Sequence, residues 1–235
     1  MSGAMHLPVV ACPTLAIAGR AERFPVRRIY CVVRNYLEHV REMKEGDERD
    51  PPFFFQKPSD AVVPDGAAVP YPPDTDDFQF EVELVAVLGG GGRDIPVAEA
   101  ASHVLGYGVG IDLTRRDRQR EMRAKMLSWE RGKAFDASAP IGPIRLAAEI
   151  GHPARGAITL AVNGAERQRG DLAHMIWSVP EVIAELSASY RLAPGDVIMT
   201  GTPAGVGAVV PGDRLDARIE GVGSLAISIS PPETT

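Results

Sequence analysis

Apolar positions along this chain fall in short runs closed by glycine or proline, and long stripes of helical period are rare. Such runs predict strands. Arg28-Ile29-Tyr30-Cys31-Val32-Val33 reads as a buried strand, and Phe53-Phe54-Phe55-Gln56-Lys57 as a second that stops at Pro58. A third spans 78–88 and closes on Gly89-Gly90-Gly91-Gly92; others are predicted at 107–111, 158–162, 166–169, 197–200, 214–219 and 224–230. Asn163-Gly164 supplies the residue pair that a two-residue hairpin requires. Helices are predicted at 35–43, 96–105 and 114–126, and from the capping box Ser178-Val179-Pro180-Glu181 to about residue 190. Four prolines between 64 and 77 keep that stretch extended or looped, and 132–140 and 201–207 read as loops. Strands dominate without β-α-β alternation, so the expected class is α+β with mainly antiparallel sheet and a few short helices. No linker divides the chain; one domain is expected over 27–235, behind an N-terminal extension of 1–26.

Composition narrows the functional classes. The chain has 235 residues, 45% of them hydrophobic, which suffices for a sizeable core. A net charge of −6 argues against a nucleic-acid partner. Cys12 and Cys31 are the only cysteines and match no metal spacing, as expected in a reducing cytoplasm. The apolar stretch 7–18 is interrupted by Pro8 and Pro13 and has no basic start, so neither a signal peptide nor a membrane span is predicted. A cytoplasmic location is the expectation.

Candidate chemistry begins inside the third strand, at Glu81-Val82-Glu83. Strand side chains alternate, so both carboxylates share one face, about 7 Å apart, and Val85 and Val87 follow on that face. Carboxylates on a partly buried face need a compensating cation, and a hard divalent metal supplies one; a solvated acidic strand edge fits the same pattern. Asp112, at the end of the next strand, can join them or simply cap the helix that follows. Lys133 can bring such a cluster toward neutrality or be an exposed loop lysine. Arg116 and Gln119, three apart on the predicted helix, can reach the same cleft. His39 and Glu42 share a helix face, where a carboxylate orients an imidazole to act as a base, although a surface pair has the same spacing. Gly201-Thr202-Pro203 can offer backbone N–H groups and a hydroxyl to an anion, or form a plain turn.

Taken in order, these segments resemble the fumarylacetoacetate hydrolase family, within it the short acylpyruvate and fumarylpyruvate hydrolases. The likeness rests on Arg34-Asn35-Tyr36 with His39, 54–58, Glu81-Val82-Glu83-Leu84, and Gly110-Ile111-Asp112 with Arg116, Asp117 and Gln119. Arg131-Gly132-Lys133-Ala134-Phe135-Asp136, Val162-Asn163-Gly164, Met175-Ile176, Pro194-Gly195-Asp196 and 200–207 complete it. The resemblance implies the family's mixed β-roll, usually a homodimer. It also implies that Glu81, Glu83 and Asp112 hold Mg²⁺, with Mn²⁺ or Ca²⁺ as alternatives. Lys133 is then beside the metal and Thr202 on the substrate carboxylate. The helix with His39 and Glu42 is expected to act as a lid that brings the water-activating base. The implied activity is hydrolysis of a C–C bond in 2,4-dioxo acids, foremost fumarylpyruvate to fumarate and pyruvate in gentisate-type aromatic degradation. Arg34 or Arg116 would then grip the second carboxylate. The alternatives are a β-keto-acid decarboxylase or 2-hydroxydienoate isomerase on the same scaffold, and a non-catalytic acid-binding protein.

Overall fold

The computed structural model describes residues 11–38 and 50–233. The elements that position the site are β1 (Arg28–Val33), β2 (Phe53–Lys57), β3 (Phe78–Phe80), β4 (Val82–Leu88) and β5 (Val104–Ile111). After these come α1 (Arg116–Ala124), α2 (Glu130–Lys133), β6 (Ala157–Val162), β7 (Ala165–Asp171) and α3 (Val179–Ser189). The chain closes with β8 (Asp196–Met199), β9 (Arg214–Ile219) and β10 (Gly223–Ser230). A six-stranded sheet runs in the order Arg145–Leu146, β5, β4, β8, β1, β2, and a five-stranded one runs β7, β6, β9, β10, Ala68–Pro70. Every pairing in them is antiparallel except β8 with β1 and β10 with Ala68–Pro70. The fold is therefore mixed α+β, rich in antiparallel sheet, as the pattern of short runs predicts.

Both faces of the six-stranded sheet are buried. Leu84, Ala86 and Leu88 of β4 join Val109 and Ile111 of β5, Leu160 and Leu215 of the second sheet, and Val182, Ile183 and Leu186 of α3. The opposite face puts Val85 and Val87 against Ile29, Cys31, Val197 and Met199. Leu15, Phe24 and Val26 belong to this second cluster, because Thr14–Ala16 pairs with Arg23–Pro25 and Ile144 N–H donates to Ala16 O at 2.8 Å. Residues 14–26 thus pack into the body of the fold.

Local sequence accounts for the remaining elements. The Ser178 N–H donates to Glu181 Oε2 at 2.8 Å, closing the predicted box at the start of α3. Asn163 and Gly164, with φ of 52° and 79°, turn β6 into β7. Three differences from the sequence reading bear on the site. The run 78–88 is two strands, because β3 pairs with Thr114–Arg115 and Gly207–Ala208 whereas β4 pairs with β5 and β8. The charged helix starts only at Arg116, since Thr114 and Arg115 are taken by β3. The expected loop at 132–140 opens inside α2. No helix among the described residues is long and apolar enough to cross a membrane.

Candidate active site

The six-stranded sheet decides the status of the acidic pair. β4 lies between β5 and β8, so it has no free edge and no solvated face. Glu81 and Glu83 are only 5% and 2% exposed, and Asp112 is 1% exposed. One oxygen from each lies within 4.8 Å of those from the other two. A solvated strand edge is excluded.

Backbone connections bring the three acids together. Glu81 sits at the junction of β3 and β4, where its carbonyl accepts from Asp112 N–H at 2.8 Å. The register of β4 on β5 sets Glu83 opposite Gly110, two residues before Asp112. Glu83 Oε2 also accepts from Gly201 N–H at 2.7 Å. Gly201 has φ of +95°, and a Cβ there would lie 2.8 Å from that of Asn35, so the loop depends on glycine. Asn35 pins this corner: its amide donates to Thr200 O at 2.7 Å and Trp177 O at 2.9 Å, and accepts from Trp177 N–H at 2.6 Å.

Three cations meet the three carboxylates. Lys133 Nζ donates to Asp112 Oδ2 at 2.7 Å, Glu81 Oε2 at 2.9 Å and Thr114 Oγ1 at 2.6 Å. Gly132 lets α2 approach α1 closely, since a Cβ there would be 2.7 Å from the Gln119 nitrogen. Lys57 Nζ lies 2.8 Å from Asp112 Oδ1 and donates to the carbonyls of Leu113 at 3.1 Å and Lys133 at 2.5 Å. Arg116 donates to Glu81 Oε1 and Gln119 Oε1, and through Nε to Gln79 Oε1 at 2.8 Å. Burial raises the Glu83 carboxyl well above the ordinary range, helped by the charges of Asp112 and Glu81. Burial alone would lower the Lys133 ammonium, but Asp112 and Glu81 outweigh it and the net shift is upward.

The three acids and Lys133 form part of the lining of one open cleft. Arg34, Arg116, Gln119 and Thr202 line it, together with Phe55 and Trp129. Thr202 Oγ1 accepts from Gln168 Nε2 at 2.8 Å, which leaves its own proton for a ligand. Gln168 Oε1 accepts from Val82 N–H at 2.9 Å and so ties the loop to the acidic strand. Arg34 is held at a positive φ of 63°. The structure thus gathers eight predicted residues (Glu81, Glu83, Asp112, Lys133, Arg34, Arg116, Gln119 and Thr202) in one cleft. His39 and Glu42 lie outside the described residues.

The donor set fits a hard divalent cation. Three carboxylates offer only oxygen ligands, and they converge with one oxygen of each within 4.8 Å of the others. Protein charges in the cluster already balance, so a bound divalent ion leaves the cleft net positive and suited to an anion. Lys57 and Gln168 were not predicted. Lys57 had one signal, a lysine closing an aromatic strand; Gln168 had none, lying in a hairpin strand of charged residues.

A family model described as fumarylacetoacetate (FAA) hydrolase C-terminal matches residues 28–230. A fumarylpyruvate hydrolase of Ralstonia sp is 40% identical over 77% of this chain and 94% of its own. A human mitochondrial oxaloacetate tautomerase is 39% identical over 88% of this chain and 93% of its own. Among solved structures, fumarylpyruvate hydrolase from Pseudomonas aeruginosa in complex with Mn²⁺ and pyruvate is 50% identical. Its TM-score is 0.94, covering 98% of this chain and 100% of that one.

Proposed function

The chain belongs to the fumarylacetoacetate hydrolase family, and from that premise we propose that it is a divalent-metal-dependent hydrolase of acylpyruvates whose foremost substrate is fumarylpyruvate. The observation that carries this reading is the buried triad of Glu81, Glu83 and Asp112 at the floor of a cleft lined with cations. The Mn²⁺ and pyruvate held by the Pseudomonas aeruginosa relative support it.

Glu81, Glu83 and Asp112 would hold the ion, Mg²⁺ or Mn²⁺, which when bound polarises the pyruvoyl carboxylate and 2-keto oxygen as a Lewis acid. Thr202 donates its free proton to the substrate carboxylate, and Gln168 fixes the hydroxyl's direction. His39, oriented by Glu42, takes a proton from the water that attacks the C4 carbonyl. Collapse of that adduct breaks the C3–C4 bond, giving fumarate and the enolate of pyruvate. Lys133 stabilises the enolate charge. Arg116 and Lys57 keep the carboxylates in place from behind.

The test is a Mg²⁺-dependent assay of fumarylpyruvate, acetylpyruvate and oxaloacetate. Cleavage of the dioxo acids, abolished by chelator, is expected; full turnover in chelator-treated protein would refute the metal claim. His39→Ala should keep metal binding and lower hydrolysis by about 10² to 10⁴, and near-wild-type turnover would remove His39 from the mechanism. A second reading is proton transfer on oxaloacetate, the activity for which the human relative is named. It needs the ion and Lys133 but no water attack. Rapid enol–keto exchange of oxaloacetate without cleavage of either dioxo acid would favour it.

A further inference from the structure

All three guanidinium nitrogens of Arg116 have protein acceptors. Nε donates to Gln79 Oε1 at 2.8 Å, one terminal nitrogen to Glu81 Oε1 and the other to Gln119 Oε1. A guanidinium is planar, so acceptors on three sides fix its plane. The same stretch of chain holds the Arg116 backbone, whose N–H donates to Asp77 O at 2.8 Å. Register does the rest, since β3 sets Gln79 opposite Thr114. Arg116 is 4% exposed and Gln119 8%.

Donors and acceptors follow one direction along this chain of side chains. Asp77 Oδ1 accepts from Gln79 Nε2 at 2.8 Å, and Asp77 Oδ2 accepts from Arg120. With its nitrogen on a carboxylate, the Gln79 amide turns its oxygen to Arg116, which has only donors. Arg116 for the same reason takes the oxygen of Gln119. The Gln119 amide is thus held with its nitrogen, and two protons, on the side away from the guanidinium. Gln119 lines the cleft together with the three acids. One guanidinium's width separates its oxygen contact from that of Glu81, so the amide stands beside the metal triad.

We propose that Gln79 is a positioning residue for the reaction. Acting through Arg116, it sets the Gln119 nitrogen toward the cleft, where that nitrogen donates to an oxygen of the small acid bound beside Glu81. The inference rests on the acylpyruvate reading, and it turns Arg116 from a substrate contact into the link between two glutamines. Gln79 itself touches no substrate. Without its oxygen the Nε side of Arg116 has lost its partner and the guanidinium plane is free to tilt. The Gln119 amide is then free to flip and present an oxygen, which repels an anion that the nitrogen would bind.

The experiment is a double-mutant cycle of Gln79→Met and Gln119→Ala. It reads kcat/KM for fumarylpyruvate with Mg²⁺ and pyruvate affinity by calorimetry on Mn²⁺-loaded protein, with melting temperatures alongside. Gln119→Ala should lower kcat/KM about ten- to hundredfold, as expected for a lost hydrogen bond to a charged acceptor. Gln79→Met should lower it about three- to tenfold, and Gln79→Glu, which keeps an oxygen for Arg116, should recover part of that. The double variant should match Gln119→Ala to within about twofold, because nothing is left to position. Pyruvate affinity should follow the same pattern. A folded Gln79→Met within about twofold of wild type, or losses that multiply in the double variant, would overturn the positioning role and leave the hydrolysis intact. A wild type that cleaves no dioxo acid would overturn the acylpyruvate reading, and the cycle on pyruvate affinity then decides the role of Gln79 separately. If Gln79→Met does not fold, the cycle is run with Gln79→Ala, which keeps the backbone pairing to Thr114 and Ala208, and multiplying losses there overturn the proposal.

Discussion

Lys133 and Lys125 each hold a carboxylate at 2.7 Å, yet the two pairs have little else in common. Lys133 and its partner Asp112 are each 2% exposed, whereas Lys125 is 58% exposed against a 28% exposed Glu121. The second pair belongs to a ladder along the outer side of α1 and α2, where Arg118 pairs with Asp117 and Glu121, and Arg131 with Asp74. Water screens those pairs, so they contribute little and any one can be lost. The inner cluster is largely shielded from solvent, so each charge there depends more on the others. Equal distances therefore say nothing about equal importance; solvent access separates a functional charge cluster from a solubilising one.

The sharpest way to break this contrast is to remove a ligand from the inner cluster. Glu83→Ala should abolish metal-dependent hydrolysis, and calorimetric titration with Mn²⁺ should show no binding; retained titration heat would take Glu83 out of the metal site. Next in size is Lys57→Met, which keeps the side-chain volume but leaves Asp112 with Lys133 alone and strands two carbonyls. Breaking a buried pair typically costs about 3–5 kcal/mol, so Tm should fall by about 10 °C or more. A small change would mean that Lys57 is as dispensable as its outer counterparts. Lys125→Ala, the matched outer change, should move Tm by no more than about 2 °C.

A finer effect comes from pH. Burial alone would raise the Asp117 carboxyl, but hydrogen bonds from Thr75, the Asp76 backbone and Arg118 outweigh it and hold it at about 2 against an ordinary 3.8. A carboxyl lowered by folding binds fewer protons in the native state than in the unfolded one. Its stabilisation is therefore present above pH 3.8 and is lost as pH falls toward 2. The Tm difference between wild type and Asp117→Asn should accordingly shrink across that interval; a difference that stays constant with pH would show that Asp117 acts through packing rather than charge.

The sequence made the inner acids visible because they stand where an apolar strand should not carry charge. Glu81 and Glu83 interrupt a run of valine and phenylalanine, and Asp112 ends one of valine, glycine and isoleucine. Asn163-Gly164 and the Ser178 box were legible for a similar reason: few residues satisfy those backbone demands. The break at Glu81 was hidden because alternation runs straight through it, from Phe78 and Phe80 to Val82 and Leu84. Only the change of pairing partners marks it, and pairing is a property of distant segments. Helix α2 was hidden because Gly132 lowers helical preference, and its approach to α1 is visible only in three dimensions. The partner of Thr202 escaped notice because one glutamine among charged hairpin residues carries no local signal. The order of motifs supplied the family and singled out Arg116, but its partners Glu81, Gln79 and Gln119 are visible only in the folded chain.

Length changes should be tolerated very unevenly along this chain. At the exposed Asn163-Gly164 tip an extra residue lengthens a turn. Between Phe80 and Val82 a single insertion would shift the strand by one side chain. Val82 would then take the place of Glu83 beside the Gly201 N–H, and Glu83 would be driven into the apolar layer where Leu84 now packs. The Glu81 carbonyl, which now receives the Asp112 amide, would lose its partner at the same stroke. Evolution can therefore reshape the mouth of this cleft residue by residue, but the Glu-Val-Glu segment is locked in phase with the sheet.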